Sequence, residues 1–385
     1  MSWRFGSLLL DVADVYYRSI ICIYGEYSCS DIQAKGKNGE SYGGPAYYIE
    51  KALKKPFIAA IFCVFLIATY AFGFNLLCSY NLQSSFQIYD FYDDTWTPVI
   101  IGGILAALTA VCVLGGGNRI IKLTEKGVPI MGITYVLVSL IIIFAHIPLI
   151  LDAFASIFRD AFDFKAIFGG LSGSCMVYGI KRGLYSNEAG VGSAPNASAS
   201  ADVTHPVKQG LVQTISVYID TMILCTATAL MCITSGVEAN EQVSGAPYVQ
   251  QAISTVFGSV GPVFVTISMA LFAFTTLIGN LYYVDNALAY LNKKKLPSKK
   301  FMTVFYIICV VIIFVGALVP MNFAWTMADI TMGGMTLINI PCCFILSRLV
   351  IKALKDFEKQ KKEKIDPVFK GKDIGIDASE LSFWK

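Results

Sequence analysis

GIKRGLYSNEAGVGSAP, residues Gly179–Pro195, sets four glycines, a proline and the ionisable Lys181, Arg182 and Glu188 into a region whose neighbours on both sides are long and apolar. Glycine at this density lowers helix stability at intervals, and Pro195 removes a backbone donor, so a continuous helix is disfavoured. Gly169, Gly170 and Gly173 extend the weakness upstream. Unwound backbone in a bilayer has to be buried against protein or line a watery cavity. Such breaks present helix N-termini to an anionic group and backbone carbonyls to a cation. The alternative is a small-residue face that lets helices approach closely. Lys181, Arg182 and Glu188 weigh against it, because charge at this depth is expensive and is kept when paired or functional.

Composition supplies the setting. Hydrophobic residues make up 55% of the 385 and charged residues 15%, too little polar surface to cover a water-soluble globule. Apolar stretches long enough to cross a bilayer recur at about 57–87, 98–115, 128–151, 209–234, 257–290, 301–319 and 324–350, and the Gly/Ser-rich 164–200 makes a weaker eighth. The expected fold is an all-α polytopic membrane protein. Loop charge alternates: Lys51, Lys54 and Lys55, then Asp90, Asp93 and Asp94, then Arg119, Lys122 and Lys126, then Asp152, Asp160 and Asp163. Glu238 and Glu241 share one later side, and Lys293–Lys295, Lys299, Lys300 and the lysines of 352–364 the other. Basic loops belong in the cytoplasm, which places the C-terminus there. The alternation closes only if 164–200 crosses once.

The formal charge of +3 is therefore a topology signal and implies no nucleic-acid partner. Eleven scattered cysteines without paired CxxC spacing read as small buried hydrophobes, and two histidines, His146 and His205, leave no zinc or Ser-His-Asp site. No Gly-rich loop ending in Lys-Ser/Thr is present, so neither direct ATP coupling nor a cofactor is expected, and nothing in the spans points to an enzyme. Asp220, Asp285 and Asp329 lie in or near spans and are candidate partners for Lys181, Arg182 and Glu188. Thr275 and Thr276, beside Gly279 in a long apolar segment, offer hard oxygen donors to a monovalent cation; the alternative is that the hydroxyls bond back to their own helix. Trp325 opens the last span, either lining a pocket or lying at the membrane interface.

GGPAYYIEKAL (Gly43–Leu53), GNRIIKLTEKGVPIMG (Gly117–Gly132), KRGLYSNEAGVGSAPNASA (Lys181–Ala199), THPVKQGL (Thr204–Leu211), FAFTTLIGNLYY (Phe272–Tyr283) and WTMADI (Trp325–Ile330) together resemble the alanine or glycine:cation symporter family. The resemblance implies an inverted-repeat transporter bundle of the amino acid–polyamine–organocation type, moving a small neutral amino acid with sodium across a bacterial-type plasma membrane. It places substrate contacts on the broken helix, with Gly183, Gly190 and Gly192 freeing the backbone, Ser186, Asn187 and Ser193 presenting polar groups, and Glu188 holding the region through a buried pair. Thr275 and Thr276 match the segment that supplies cation ligands. Where many members carry Gln and Asn near the substrate, Cys78 and Tyr80 stand here.

The resemblance implies two further N-terminal helices, the first one broken, that residues 1–33 do not match, so the bundle is expected to be N-terminally incomplete. A one-base shift of reading frame near Ala34 yields, under permitted codons, a segment similar to the family's second helix. The expected organisation is an aberrant N-terminus at 1–33, a transport domain at 34–350 and a charged cytoplasmic tail at 351–385. The competing expectations are a transport-inactive fragment of such a symporter and, with less support, a channel.

Overall fold

Apolar runs bounded by Pro, Asp and Lys dictate where the helices begin and end in the computed structural model, which describes residues 34–35, 41–116, 118–161, 175–199, 201, 203–238, 240, 243–292 and 295–374. The expected N-terminal region 1–33, the glycines Gly169, Gly170 and Gly173, and residues 375–385 lie outside the described residues. After a short antiparallel pair, β1 (Ala34–Lys35) with β2 (Ser41–Tyr42), the chain is helical. The helices are α1 (Pro45–Lys51), α2 (Pro56–Ser84), α3 (Trp96–Gly115), α4 (Asn118–Ala145), α5 (Ile150–Ala161), α6 (Cys175–Asn187) and α7 (Ala194–Ser198). There follow α8 (Pro206–Thr234), α9 (Ala246–Phe257), α10 (Val260–Leu291), α11 (Lys299–Gly316) and α12 (Met321–Lys362). Among the described residues, seven helices are long and apolar enough to cross a membrane: α2, α3, the Gly127–Ala145 part of α4, α8, α10, α11 and α12. Each falls on one of the seven strong apolar stretches.

Local chemistry fixes the ends. Pro occupies the first turn of α1, α2, α7, α8 and α9, where its missing N–H costs no helical hydrogen bond. Asp93 accepts from the N–H groups of Thr95 and Trp96 at 2.9 and 2.8 Å, closing the start of α3 and holding its own carboxyl below the usual carboxylate range. Many large apolar side chains point outward in helical register. Ile100, Ile104, Leu108 and Val111 do so on α3, and Ile130, Ile133, Leu137, Ile141 and Phe144 on α4. Stripes of this length cannot face water, and they mark the surface presented to lipid. On α5, Leu151, Phe154 and Phe158 are exposed opposite Asp152 and Arg159, the pattern of a helix lying in the membrane interface.

The main core joins α1, α2, α10 and α12 through Tyr47, Tyr48, Phe62, Tyr70, Leu281 and Met335. A second cluster, with Ile142, Met231, Ile253 and Val265, joins α4, α8, α9 and α10. Among the described residues, wide π-type turns interrupt α2 at Ala68–Gly73 and α8 at Ile219–Cys225, and a third, Cys112–Gly116, ends α3. Such turns carry one residue more than an α turn and recur at functional sites.

Helix α12 runs on to Lys362, and the chain beyond it folds back. Phe369 N–H donates to the Thr204 carbonyl at 3.0 Å, the Thr204 hydroxyl to the Pro367 carbonyl at 2.9 Å, and Lys208 to Asp366 at 2.6 Å. Gln360 binds both backbone groups of Val368. The far tail is thus clasped to the start of α8, where Val207, Val350, Ala353, Phe357 and Phe369 form an apolar cluster. The described part of the tail docks on the protein, which the charge of 351–385 does not reveal.

His205 lies fully buried in the clasp, between the rings of Phe357 and Phe369. Its Nδ1 accepts from Val207 N–H at 3.2 Å, so the neutral ring carries its proton on Nε2, which faces Asp356 at 3.4 Å. Burial lowers the His205 pKa below its ordinary 6.5; Asp356 opposes this, and Lys208 adds to it. A histidine depressed in the folded state gives its full stabilisation above the unfolded value and loses it as pH falls below that. Acidification from pH 7.5 to 5.5 should therefore raise the opening of residues 365–370, by at most about tenfold per pH unit below 6.5. Hydrogen exchange of those amides, with His205→Gln as the variant that loses the dependence, measures it. An identical pH response in both chains would remove His205 as the cause.

Candidate binding site at the broken helix

Asn187 ends α6, and the chain then takes six residues to begin α7. Glu188, Gly190 and Gly192 adopt positive φ of 53°, 85° and 98°, which reverses the chain tightly between the two half-helices. At Gly192 a Cβ would lie 2.9 Å from Asn339 Cγ and 3.0 Å from both Phe62 Cζ and Pro45 Cγ, so only glycine fits. Gly44, at φ 126°, lets the GGP turn before α1 press directly on Asn196.

Most of the break's backbone is already bonded. Asn187 Oδ1 accepts from Ala189 N–H at 3.0 Å, and the Glu188 carbonyl accepts from Val191 N–H at 3.1 Å. Asn339 Nδ2, reaching from α12, donates to the Gly190 carbonyl at 2.9 Å, while Asn339 Oδ1 accepts from the buried Tyr48 hydroxyl of α1. Asn196 Nδ2 donates to the carbonyls of Gly192 and Ser193 at 3.1 and 3.0 Å. Four carbonyls of the break are therefore engaged by the protein itself.

The π turns of α2 and α8 flank it. From α8, Asp220 accepts from Ser186 Oγ at 2.5 Å and Thr221 Oγ1 from Asn187 Nδ2 at 3.1 Å. From α2, Tyr70 turns its fully buried ring inward, and its hydroxyl faces Glu188 and Ser193 without completing a hydrogen bond of ordinary geometry. Ser193, itself buried, donates to Glu188 Oε2 at 2.5 Å.

Around α6 an aromatic and ionic layer forms. Arg182 donates to both oxygens of Asp329 at 2.7 and 2.8 Å, with Lys181 at 3.6 Å from the same carboxylate. The Arg182 guanidinium lies 3.7 Å over Trp325, whose ring stands edge-on to Tyr185 at 4.9 Å, and Tyr185 packs on Phe74. Of the three acids raised as partners, Asp329 alone takes the cations; Asp220 takes the Ser186 hydroxyl, and Asp285 accepts from Tyr306 at 2.7 Å. Glu188 accepts from the Ser193 hydroxyl and, among the described residues, has no cationic partner within salt-bridge distance.

The structure brings Gly183, Ser186, Asn187, Gly190, Gly192 and Ser193 together on or beside the break, with Trp325 against Tyr185. Cys78 donates to the Ala273 carbonyl of α10 at 3.3 Å, while Tyr80 packs on the main core. Thr275 bonds back to the carbonyls of Leu271 and Phe272, both at 3.0 Å, and Thr276 is exposed. Sequence reading passed over Tyr48, Tyr70, Thr221 and Asn339; a polar group inside an apolar run was the one signal they carried.

Among the described residues, seven apolar helices and an interrupted one lined with buried polar groups make this a multi-pass membrane protein of the transporter type. The sodium:alanine symporter family matches residues 30–371, and the chain belongs to that family, one of symporters and not of enzymes. It is 37% identical over 342 residues to the probable sodium/glutamine symporter of Bacillus subtilis, covering 89% of this chain and 70% of that one. To the amino-acid carrier protein of the same organism it is 34% identical over 345 residues, 88% and 71% of the two chains. To the sodium/alanine symporter of Methanococcus maripaludis it is 33% identical over 366 residues, 94% and 77%.

Proposed function

We propose that this chain is a sodium-coupled symporter of a small neutral amino acid, alanine or glycine, working in a bacterial-type cytoplasmic membrane with its C-terminus inside. The observation that carries the reading is the break at 188–193, held by α1, α2, α8 and α12 in one polar cluster between apolar helices. The transport domain is 34–350, an inverted-repeat bundle in which one helix set rocks against another around this midplane site. Ser186, Asn187 and Ser193 present polar groups to the amino acid, Tyr185 and Trp325 bound its side chain, and Thr275 and Thr276 offer oxygens to sodium. Arg182 and Asp329 close one side as an ion pair. Sodium and amino acid each raise the other's affinity, as coupling requires.

Reconstituted into liposomes, the chain should take up radiolabelled alanine saturably when sodium is high outside, and stop when the sodium gradient is collapsed. Glycine should compete. Competition by glutamine alone would move the substrate to the class for which the Bacillus relative is named. Absence of any amino-acid uptake favours the transport-inactive alternative.

A further inference from the structure

Glu188 and Asp220 are two acids at the break, set between membrane helices, the first accepting from Ser193 and the second from Ser186. The cations nearest in sequence are directed elsewhere: Arg182 and Lys181 both reach Asp329. Among the described residues no Lys, Arg or His comes within salt-bridge distance of Glu188 or Asp220. A carboxylate in such surroundings carries a desolvation cost that a neutral hydroxyl offsets only in part.

Three oxygens converge there. Ser193 gives its proton to Glu188 Oε2, which leaves the Ser193 lone pairs free to face a cation. The Tyr70 hydroxyl, fully buried and aimed at the same two residues, completes no hydrogen bond. An orphaned buried hydroxyl beside an uncompensated carboxylate is what a binding site for a small cation looks like without its ligand. All three donors are hard oxygens, and a hard monovalent ion is the species they suit. The backbone carbonyls of Glu188, Gly190, Gly192 and Ser193 already accept hydrogen bonds and carry no formal charge, whereas the Glu188 side chain can supply one.

We propose that Glu188, with the hydroxyls of Ser193 and Tyr70, forms a sodium site at the helix break, separate from the Thr275–Thr276 pair. The inference rests on the reading of the chain as a sodium-coupled symporter. Asp220 takes the Ser186 hydroxyl, and that bond keeps it out of the first ring of ligands.

The test is equilibrium binding of radiolabelled sodium to the purified full chain in lipid nanodiscs, without amino acid, together with the midpoint of thermal unfolding with and without sodium. Glu188→Gln should weaken sodium affinity by about tenfold or more and abolish the sodium-dependent rise in the midpoint. In sodium-free buffer the same variant should be at least as stable as the unaltered chain, since an uncompensated charge has been removed. Tyr70→Phe should weaken affinity less, and Glu188→Asp should retain part of it. Sodium affinity unchanged in Glu188→Gln overturns the site and leaves the symporter reading standing. Loss of amino-acid affinity at unchanged sodium affinity also overturns it, assigning the carboxylate to the substrate ammonium. No sodium binding by the unaltered chain removes sodium coupling itself, and this site with it.

Discussion

Gly192→Ala should abolish amino-acid uptake in reconstituted liposomes and lower the thermal midpoint, whereas Gly103→Ala should leave uptake within about twofold of the unaltered chain. The contrast is geometric. At Gly103, in α3, an added methyl meets nothing within 4 Å, and alanine in place of a helical glycine favours the helix by about 1 kcal/mol. At Gly192 the backbone holds φ 98°, which a side chain disfavours by about 1–3 kcal/mol. The methyl would also press on Asn339, Phe62 and Pro45 at 2.9–3.0 Å, in a packed region where overpacking costs about 1–3 kcal/mol more. Four elements would have to give way together, the break, α1, α2 and α12, because Gly192 is where they touch. A shift of about 4 kcal/mol changes a conformational equilibrium roughly a thousandfold. Uptake by Gly192→Ala near that of the unaltered chain would show that the close approach has no part in transport.

Asn339 carries the second large effect. Its amide is the link between the Gly190 carbonyl and the Tyr48 hydroxyl, and both Asn339 and Tyr48 are almost fully buried. Asn339→Ala leaves the Gly190 carbonyl without its Asn339 donor, at about 1–3 kcal/mol, and takes from the Tyr48 hydroxyl its amide acceptor, with the Cys343 thiol at 3.8 Å remaining, so it should reduce both stability and uptake strongly. Asn339→Asp separates the two halves of the link. A carboxylate still accepts from Tyr48, but it cannot donate to Gly190 and sets oxygen against oxygen there. Uptake should fall with Asn339→Asp nearly as far as with Asn339→Ala, and Tyr48→Phe should be milder than either. Full uptake by Asn339→Asp would mean that the Gly190 carbonyl does not need to be held.

Much of this architecture was readable from residue order. The seven long helices fall on apolar runs because length and hydropathy alone decide which segments can cross a bilayer, and the glycines of 179–192 announce that one segment will not hold a single helix. The pairing of charges was not readable. Asp220, Asp285 and Asp329 look equivalent as isolated acids in apolar surroundings, and what separates them is which helix face each occupies once α6, α8, α10 and α12 have packed. Asn339 and Tyr48 meet across 291 residues of chain, so neither one's neighbours in the sequence hint at the other. The threonines show the converse: Thr275 follows the local rule by which a helical hydroxyl returns to its own backbone, and the pattern Thr-Thr by itself does not distinguish that from a cation ligand. The docking of 365–370 also escaped, because Phe369 lies within a charged tail and its partners at Thr204 and Val207 lie far upstream.

The wide turns at 68–73 and 219–225 leave no mark of composition either, yet they bear on how this protein can change over generations. Each is the footprint of one extra residue accommodated within a helix, and that residue offsets the angular phase of everything after it by about 100°. Upstream and downstream halves of α2 and α8 are therefore out of step, as though two screws of slightly different setting had been joined. Substitutions that retune the lipid-facing half leave the phase of the inward-facing half untouched, while loss of a single codon inside either turn would swing Tyr70 or Asp220 off the break without altering any residue that touches it. Point mutation and single-residue deletion thus act on this molecule along separate axes, one adjusting its surface and the other its register.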